Sequence, residues 1–420
     1  MAKRLQLVVI VFLFLNLNAK AQFTSVSFSI QAHQDDWQLF MASAIMADLN
    51  VTNRKVVFIT LTAGDGSAGA GSYSPSGVPF YLSRENGAVY SCKYAADLST
   101  GTTPQVVPTA STVSITGNSA HNITKYVYKN TVNYFLRVPD GNGDGSGFNN
   151  TGNVSLQKLR LGNISSISAL GPVAATYTGW SDLTNTIKAI INAEKVTGTQ
   201  SWIHTASTDN TYNLNDHSDH LNSSYAAQAA VSSGMGWVGI NEFRDYNSSS
   251  FPGNLSATDH ENAAAIFAIC NWGIIEARYA TNFNSGHLGW LPMDYFRVFK
   301  VPSGNAPFAG MGGGSAETAI INIESDKNAA VTEIPMIVAV TSPAFINKDI
   351  SMIISPYEQG QLITVLYDSD NKKVQEITTK VANKDPLFIT LKQAVKVKGS
   401  YTIKNILNDK FIETRKIVVE

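Results

Sequence analysis

The stretch QAHQDDWQLFMAS (residues 31–43) places a histidine and two adjacent aspartates where a buried strand should end. The preceding run FTSVSFSI (residues 23–30) is β-like, and the residues that follow the aspartates read as a helix. Desolvating a pair of carboxylates at the end of such a strand is costly unless something compensates their charge. The stretch therefore predicts a strand-to-helix turn that carries a functional site.

Strand-like and helix-like runs alternate from residue 23 to about residue 300. The predicted strands are 25–32, 56–63, 126–137, 201–207 and 237–243. The predicted helices are 37–50, 84–98, 180–195, 219–233 and 257–277. This alternation is typical of an α/β domain with a mostly parallel sheet, which we place at residues 22–305. The stretch 99–124 interrupts the alternation, and we interpret it as an insertion.

The pattern changes beyond about residue 300. The Gly-rich stretch GMGGGSAE (310–317) predicts a linker over 306–330, followed by a small C-terminal β-sandwich over 331–420. Its predicted strands are 319–323, 335–341, 349–354, 362–367, 387–391, 400–405 and 411–419. The first of them falls inside the linker.

The first residues have the pattern of a secretory signal peptide. Lys3 and Arg4 precede an apolar run over 5–17, and Ala19-Lys-Ala21 gives a cleavage pattern, so we expect residues 1–21 to be removed and the protein to be secreted or held at the cell surface. The apolar run is too short to span a bilayer, and we expect no membrane span elsewhere. A formal net charge of −1 gives no electrostatic reason to expect a nucleic-acid partner. Cys92 and Cys270 lie in apolar runs and are predicted to be separate buried thiols.

Three polar clusters follow predicted strands, where open α/β sheets bind their ligands. Their main residues are His33, Asp35 and Asp36; Asp65 in a Gly-Asp-Gly turn; and Asp216, His217, Asp219 and His220. Metal binding explains the first and third clusters together. Two histidines and one carboxylate (His33, Asp36 and His220) form a usual catalytic zinc set that leaves a position for water.

The remaining residues of these clusters then have predicted roles in catalysis. Asp35 is placed to act as general base on the water, whose pKa the metal lowers. His217 can stabilise the oxyanion or protonate the leaving amine. Asp219 can hold the second nitrogen of a histidine. Taken singly, each motif has a simpler interpretation, as a solvated turn or as a helix start capped by Asp216 or Asp219.

Motifs at four positions resemble those of the PIG-L/LmbE family of zinc-dependent N-deacetylases. AHQDDW (32–37) and DHSDH (216–220) are similar to its AHPDD and HxDH motifs, and TAGD (62–65) and Arg84-Glu85 fit between them. The resemblance spans roughly residues 24–280. It implies a Rossmann-like fold, zinc bound by the three proposed ligands, and removal of an N-acetyl group from an amino sugar of the N-acetylglucosamine type or a glycan.

The sequence departs from the family at two positions of the first motif. Gln34 replaces the usual proline, and Trp37 replaces an acidic residue. Trp37 could offer a stacking face to a sugar, although an aromatic residue at a helix start more often lies in the core.

Further candidate substrate contacts are Asp65, Arg84, Arg137 and Asp140. Arg137 and Asp140 belong to a Gly-rich stretch, LRVPDGNGDGSG (136–147), that mimics the start of a calcium loop but has Thr151 where a glutamate is needed. We expect this loop to line the mouth of the site, with a plain surface loop as the alternative. His121, His204, His260 and His287 are predicted to be structural.

The C-terminal part, from LITVLYDSDNKK (362–373) to the final KIVVE (416–420), resembles the sorting domains of the Bacteroidota type IX secretion system. The resemblance implies contact with secretion machinery. An accessory carbohydrate-binding domain and an inert stabilising domain are the alternatives.

Two other functions compete with the deacetylase. Two histidines and a carboxylate also bind Fe²⁺ in non-haem oxygenases, but those need a surrounding jelly-roll pattern that is not seen here. The chain could also be a glycan-binding protein of the same fold that has lost turnover through the changes at Gln34 and Trp37.

Overall fold

The structure is a computed structural model that describes residues 23–101, 106–173, 175–197, 199, 201–231, 238–299, 337–340, 350–354, 359–382, 387–392 and 395–419. The predicted signal peptide, the Gly-rich linker and the predicted strand 319–323 lie outside these residues. Among the described residues, no helix combines the length and the apolar character needed to cross a membrane.

The helices and strands of the first 300 residues alternate as predicted. The helices are α1 (Asp36–Phe40), α2 (Ala42–Leu49), α3 (Phe80–Thr100), α4 (Leu156–Arg160), α5 (Gly179–Glu194), α6 (Ser218–Ala230), α7 (Ala257–Glu276) and α8 (Ser285–Leu288). The strands are β1 (Ser25–Gln31), β2 (Arg54–Thr62), β3 (Ser111–Thr116), β4 (Ala120–Tyr128), β5 (Thr131–Val138), β6 (Ser166–Ser168), β7 (Thr176–Thr178), β8 (Ser201–Ala206), β9 (Val238–Phe243) and β10 (Phe296–Phe299).

An eight-stranded sheet in the order β10-β9-β8-β1-β2-β5-β4-β3 organises this region. The five strands from β9 to β5 pair in parallel, and the edge strands β10, β4 and β3 pair antiparallel. The prediction of a mostly parallel α/β sheet is therefore confirmed. The chain moves from β1 to β2 and β5 on one side of the sheet, and β8 later pairs with the other side of β1.

Two apolar cores hold helices against the sheet. One core packs β1, β2, β5 and β8 with α4, α5 and α6, through residues such as Ile59, Ile187 and Ala226. The other packs α1, α2, α3 and α7 with Phe58 and Phe243 of the sheet. Cys92 and Cys270 are both buried and free, as predicted.

Three details of this region differ from the sequence-based expectations. The predicted strand 126–137 is a hairpin of β4 and β5, turning at Lys129, whose φ is 47°. The predicted helix 37–50 is interrupted at Met41, whose φ of −133° is not helical. Much of the expected insertion 99–124 forms β3 and the start of β4, which extend the sheet at its edge.

The C-terminal residues form antiparallel sheets. Their strands are β11 (Ile337–Val340), β12 (Ile350–Ile354), β13 (Gly360–Tyr367), β14 (Lys373–Val381), β15 (Leu387–Leu391), β16 (Gly399–Leu407) and β17 (Lys410–Val419). Three strands form one sheet, β11-β12-β15, and four form another, β14-β13-β16-β17. The antiparallel β content is confirmed, and the sandwich arrangement stays a prediction. Sequence analysis missed β14, because its residues KVQEITTKV are mostly polar.

A buried carboxylate ties α5 to the sheet and should make stability depend on pH. Glu194 accepts hydrogen bonds from Lys55 at 2.6 Å, Lys125 at 2.7 Å and Tyr134 at 2.6 Å. Burial opposes the charged form, but Lys125, Lys55 and Tyr134 lower the pKa of Glu194 from 4.5 to about 2. The stabilisation is therefore complete above about pH 4.5 and is lost as the pH falls toward 2.

We expect Glu194→Gln to lower the free energy of unfolding by about 1–2 kcal/mol at pH 7, and the difference from wild type to shrink on acidification. Denaturant unfolding at several pH values measures this. Glu261→Gln, at an exposed position of α7, is the control and should have little effect. An equal loss for Glu194→Gln at pH 7 and pH 3 would contradict the assignment.

Candidate metal centre

The candidate site lies at the carboxyl ends of two neighbouring strands, where the connections that follow them run to opposite sides of the sheet. β1 leads into the turn that carries His33, and β8 leads into the loop before His220. Because these strands are parallel neighbours, their carboxyl ends meet at one edge of the sheet. The chain leaves β1 toward β2 and returns beside β1 with β8, which makes this position a topological switch point, the usual ligand site of open α/β sheets.

Three potential ligand atoms converge at this position. His33 Nδ1 lies 3.1 Å from His220 Nε2. Asp36 Oδ1 lies 3.4 Å from His33 Nδ1 and 3.3 Å from His220 Nε2. Tetrahedral bonds of about 2.0–2.1 Å to one zinc ion place two ligand atoms about 3.3–3.4 Å apart. The three predicted ligands are thus brought together at distances that suit a shared metal ion.

The backbone fixes the orientation of the Asp36 carboxylate. Its Oδ2 accepts hydrogen bonds from the backbone N–H groups of Ala32 and His33, both at 2.9 Å. Oδ1 is left to face the two histidines. Burial disfavours the charged form, yet His220 and His33 hold the pKa of Asp36 well below its usual range.

Asp216 holds the second nitrogen of His220 by a hydrogen bond, and the Asp245 carboxylate lies beside it. Asp216 Oδ1 lies 2.9 Å and Asp245 Oδ2 lies 3.2 Å from His220 Nδ1. Since the Asp216 carboxylate accepts, Nδ1 carries a proton, and in the neutral ring the lone pair of Nε2 faces the point between Asp36 and His33 where a cation would bind. Carboxylate support of this kind orients histidine ligands and strengthens metal binding.

The convergent cluster requires positive charge. Burial disfavours protonation of His33, but Asp36, Asp219 and Asp140 raise its pKa to about 10. A divalent cation can supply this charge in place of protons, so metal binding and protonation should compete. The residues present therefore fit a metal ion.

Asp35 lines the cavity beside the cluster and is paired with Arg84. Arg84 Nη2 donates to Asp35 Oδ1, and its Nη1 donates to the carbonyl oxygen of Gly64 at 2.8 Å. Gly64 has a φ of 52°, and a side chain there would collide with Arg84. Arg84, predicted as a substrate contact, thus lines the cavity and also positions the proposed base.

His217 is the N-cap of α6 and also lines the cavity. Its Nδ1 accepts a hydrogen bond from the backbone N–H of Asp219 at 3.1 Å, which leaves the proton on Nε2. Burial, with the charges of His33 and His220, lowers the pKa of His217 to about 2. His217 is therefore a neutral ring with one N–H to donate.

Asp219 and Asp140 approach the outer nitrogen of His33. Asp219 Oδ2 and Asp140 Oδ2 each lie 3.7 Å from His33 Nε2, beyond hydrogen-bond distance. Asp219 Oδ2 instead accepts from the backbone N–H of Gly141 at 2.7 Å, which joins the Gly-rich loop to α6. This loop reaches the site, as predicted, and Asp140 lines the cavity.

Three other predicted substrate residues lie outside the cavity lining. Trp37 is 0% exposed and packs in the core near Phe58, so it takes the core position and offers no stacking face to a sugar. Asp65 is buried and accepts from the backbone N–H of Asp140 at 2.9 Å, so it supports the loop. Arg137 forms a buried two-point ion pair with Glu85, at 2.6 and 2.7 Å.

The cavity has a volume of about 170 Å³ and an aromatic wall that sequence analysis did not predict. The lining residues outside the polar cluster are Leu39, Phe40, Tyr246, Asn282, His287 and Trp290. His287, expected to be structural, is among them. His204 meets the expectation, since it is buried and lies 2.8 Å from Asp48.

Comparison with known proteins adds no family to this description. No family model matches the chain. No curated protein matches it either. A superoxide reductase from Ignicoccus hospitalis is 12% identical, over 19% of this chain and 77% of its own, with a TM-score of 0.15. The Pseudomonas fluorescens DNA glycosylase AlkC is 8% identical, over 50% of this chain and 62% of its own, with a TM-score of 0.14. An engineered protein reaches a TM-score of 0.19 at 10% identity, over 87% of this chain and 65% of its own. Likenesses this weak carry no argument.

If these three residues bind the metal, substitutions in the cluster should weaken metal affinity by different amounts. His220→Ala should remove tight binding of one divalent ion per chain, because it deletes a ligand. Asp216→Asn should keep the ligand but weaken metal affinity roughly 10- to 100-fold. Competition with a metal-binding dye measures both.

His260→Ala, at an exposed position of α7, is the control and should bind metal as wild type does. Wild-type affinity in His220→Ala would show that the three residues do not form the binding site.

Proposed function

We propose that the protein is a secreted, metal-dependent hydrolase that removes the acetyl group from an N-acetylated amino sugar or glycan. The observation that carries this proposal is the convergence of His33, Asp36 and His220 with a carboxylate and a neutral histidine beside them. The PIG-L/LmbE-like motifs carry these same residues. A Rossmann-like domain over 22–305 belongs to the proposal.

The proposed cofactor is Zn²⁺, with Fe²⁺ as another divalent ion that this donor set accepts. His33, Asp36 and His220 would hold it. When bound, such an ion polarises a carbonyl oxygen and makes water acidic enough to attack near neutral pH. The protein's other residues then need only orient the amide and move protons.

Asp35 is the proposed general base. Its carboxylate lies in the cavity lining, and the Arg84 guanidinium occupies one of its oxygens. Pairing with Arg84 fixes the direction of the Asp35 carboxylate, so its second oxygen is available to accept a proton from water. Arg84 thereby acts on the reaction through Asp35.

His217 is the proposed donor to the oxygen of the tetrahedral intermediate. Its Nδ1 is engaged by the backbone N–H of Asp219, so its proton is on Nε2. A neutral N–H donor can stabilise a developing negative charge without first repelling the nearby cation. Asp219 is proposed to hold His217 and the Gly-rich loop in place.

The protein is also proposed to be exported, with its C-terminal β region taking part in export. The leader-like residues 1–21 support secretion, and the sorting-domain resemblance supports a role for the C-terminal residues in contact with secretion machinery. The C-terminal strands are proposed to form a small β-sandwich.

Release of acetate from N-acetyl sugars tests the activity. With zinc-loaded protein, we expect Asp35→Asn to lower kcat by roughly 100-fold or more, because proton transfer by a positioned base contributes about 10²–10⁴-fold. His217→Ala should lower kcat by roughly 100-fold or more through loss of the oxyanion donor. The metal content of both variants should stay at one ion per chain.

Asp370→Asn, in an exposed turn of the C-terminal region, is the matched control and should retain wild-type activity. If wild type released no more acetate than Asp35→Asn across a broad glycan panel, the deacetylase proposal would be wrong. Retained sugar binding in that case would support the glycan-binding alternative.

A further inference from the structure

The cavity beside the candidate metal centre has two chemically different parts. Its polar part contains His33, Asp35, Asp36, Arg84, Asp140, His217 and His220. The other lining residues are mostly apolar or aromatic and include Tyr246, His287 and Trp290. The cavity surface is mostly polar, with a small aromatic part at Tyr246 and Trp290, so it suits a polar ligand that has a limited apolar face.

Tyr246 and Trp290 form a fixed pair in the aromatic part. Their rings are stacked, with centroids 4.9 Å apart and an angle of 8° between the planes. Trp290 Nε1 donates to the backbone carbonyl oxygen of Tyr246 at 2.9 Å. Because its only polar atom is engaged, the Trp290 side chain offers the cavity apolar ring surface alone.

This aromatic pair lies directly against the metal cluster. The Tyr246 ring meets His220 edge-on, with centroids 5.1 Å apart. Phe40 lies 5.8 Å from His220 and 5.4 Å from Trp290, again between ring centroids. A group bonded to an amide at the cluster would therefore contact Tyr246 and Trp290.

The segment that carries His287 and Trp290 is anchored to α7. The side-chain oxygen of Asn271, a buried residue of α7, accepts from Thr281 Oγ1 at 2.8 Å and from the backbone N–H of Asn282 at 2.9 Å. The His287 ring then meets Trp290 edge-on at 5.5 Å. Asn282, which lines the cavity, is held as a polar group beside the aromatic surface.

We propose that Trp290 and Tyr246 form the subsite for a single sugar ring whose N-acyl group reaches the metal cluster. This inference rests on the proposed function and specifies its substrate. A pyranose has apolar C–H faces that suit an aromatic wall, and hydroxyl groups that suit Asn282 and Asp140. The cavity volume of about 170 Å³ is well below the roughly 300–1,000 Å³ of drug-sized ligand sites, so we assign a single sugar unit to the cavity itself.

Direct binding of N-acetylglucosamine by the zinc-loaded full-length chain tests the subsite. The measurements are made in an Asp35→Asn background, so that the sugar is not consumed, with Kd from calorimetry or NMR titration. Trp290→Ala should weaken binding by at least about tenfold, and Trp290→Phe by less than about threefold, because a ring remains. The trimer of N-acetylglucosamine should bind no more than about threefold tighter than the monomer.

Trp272→Ala is the matched control, since Trp272 is 54% exposed on α7 and lies outside the cavity lining. It should change Kd by less than about twofold. In the active protein, Trp290→Ala should raise KM far more than it lowers kcat, and Trp290→Phe should recover most of that loss in KM. Thermal unfolding identifies any variant that fails to fold. If Trp290→Ala is one of them, Trp290→Leu, which keeps an apolar side chain without a ring, replaces it and should also weaken binding by at least about tenfold.

The outcomes separate the subsite from the proposed reaction. An equal Kd for Trp290→Ala and its parent, or no binding of the monomer to the parent, overturns the subsite even if acetate is released. A much tighter Kd for the trimer overturns the single-ring assignment. Binding that depends on Trp290 without acetate release supports the subsite and rejects the deacetylase.

Discussion

The Asp36 carboxylate is the interaction on which the site depends. One of its oxygens is fixed by two backbone N–H groups at the end of β1, and the other lies between His33 and His220. The two histidines come from positions 187 residues apart in the chain. They meet because β1 and β8 are parallel neighbours whose carboxyl ends reach the same edge of the sheet. Without compensation by a cation or by protons, this buried arrangement would be strongly unfavourable.

The residues around this cluster orient its side chains on one side and form an aromatic surface on the other. Asp216 holds the far nitrogen of His220, with Asp245 beside it, and Arg84 holds Asp35. These contacts leave the proposed reacting groups few alternative orientations, which is what a site needs to act without rearranging first. In the other direction, Tyr246 begins an aromatic surface that the C-terminal half of the α/β region supplies.

The sequence predicted the ligand cluster because its residues follow strand ends in a recognisable order. It could not predict the aromatic wall, since Trp290 lies 70 residues beyond His220 and reaches the site only through the packing of α7 and the segment after it. Asp245 was not predicted as a site residue. The only indication in the sequence is that it is a single acidic residue just after the strand predicted at 237–243. Trp37 takes the core position, the second of its two predicted roles, for a geometric reason. Adjacent helical residues point about 100° apart, so Trp37 faces the core when Asp36 faces the cluster.

The C-terminal strands also show that the apolar pattern of a sequence reveals some strands and not others. β13 is mostly apolar and β16 alternates buried and partly exposed residues, so both were predicted, whereas β14 is largely polar and lies at a sheet edge. Its pairing with β13 decides its structure more than its own composition does.

The proposed site holds one metal ion between His33, Asp36 and His220. Anomalous diffraction at the zinc edge, from crystals of metal-loaded full-length protein, tests it most directly. We expect a single strong peak about 2.0–2.2 Å from His33 Nδ1, Asp36 Oδ1 and His220 Nε2. A peak elsewhere, such as among His33, Asp140 and Asp219, or no peak in metal-loaded crystals, would contradict it.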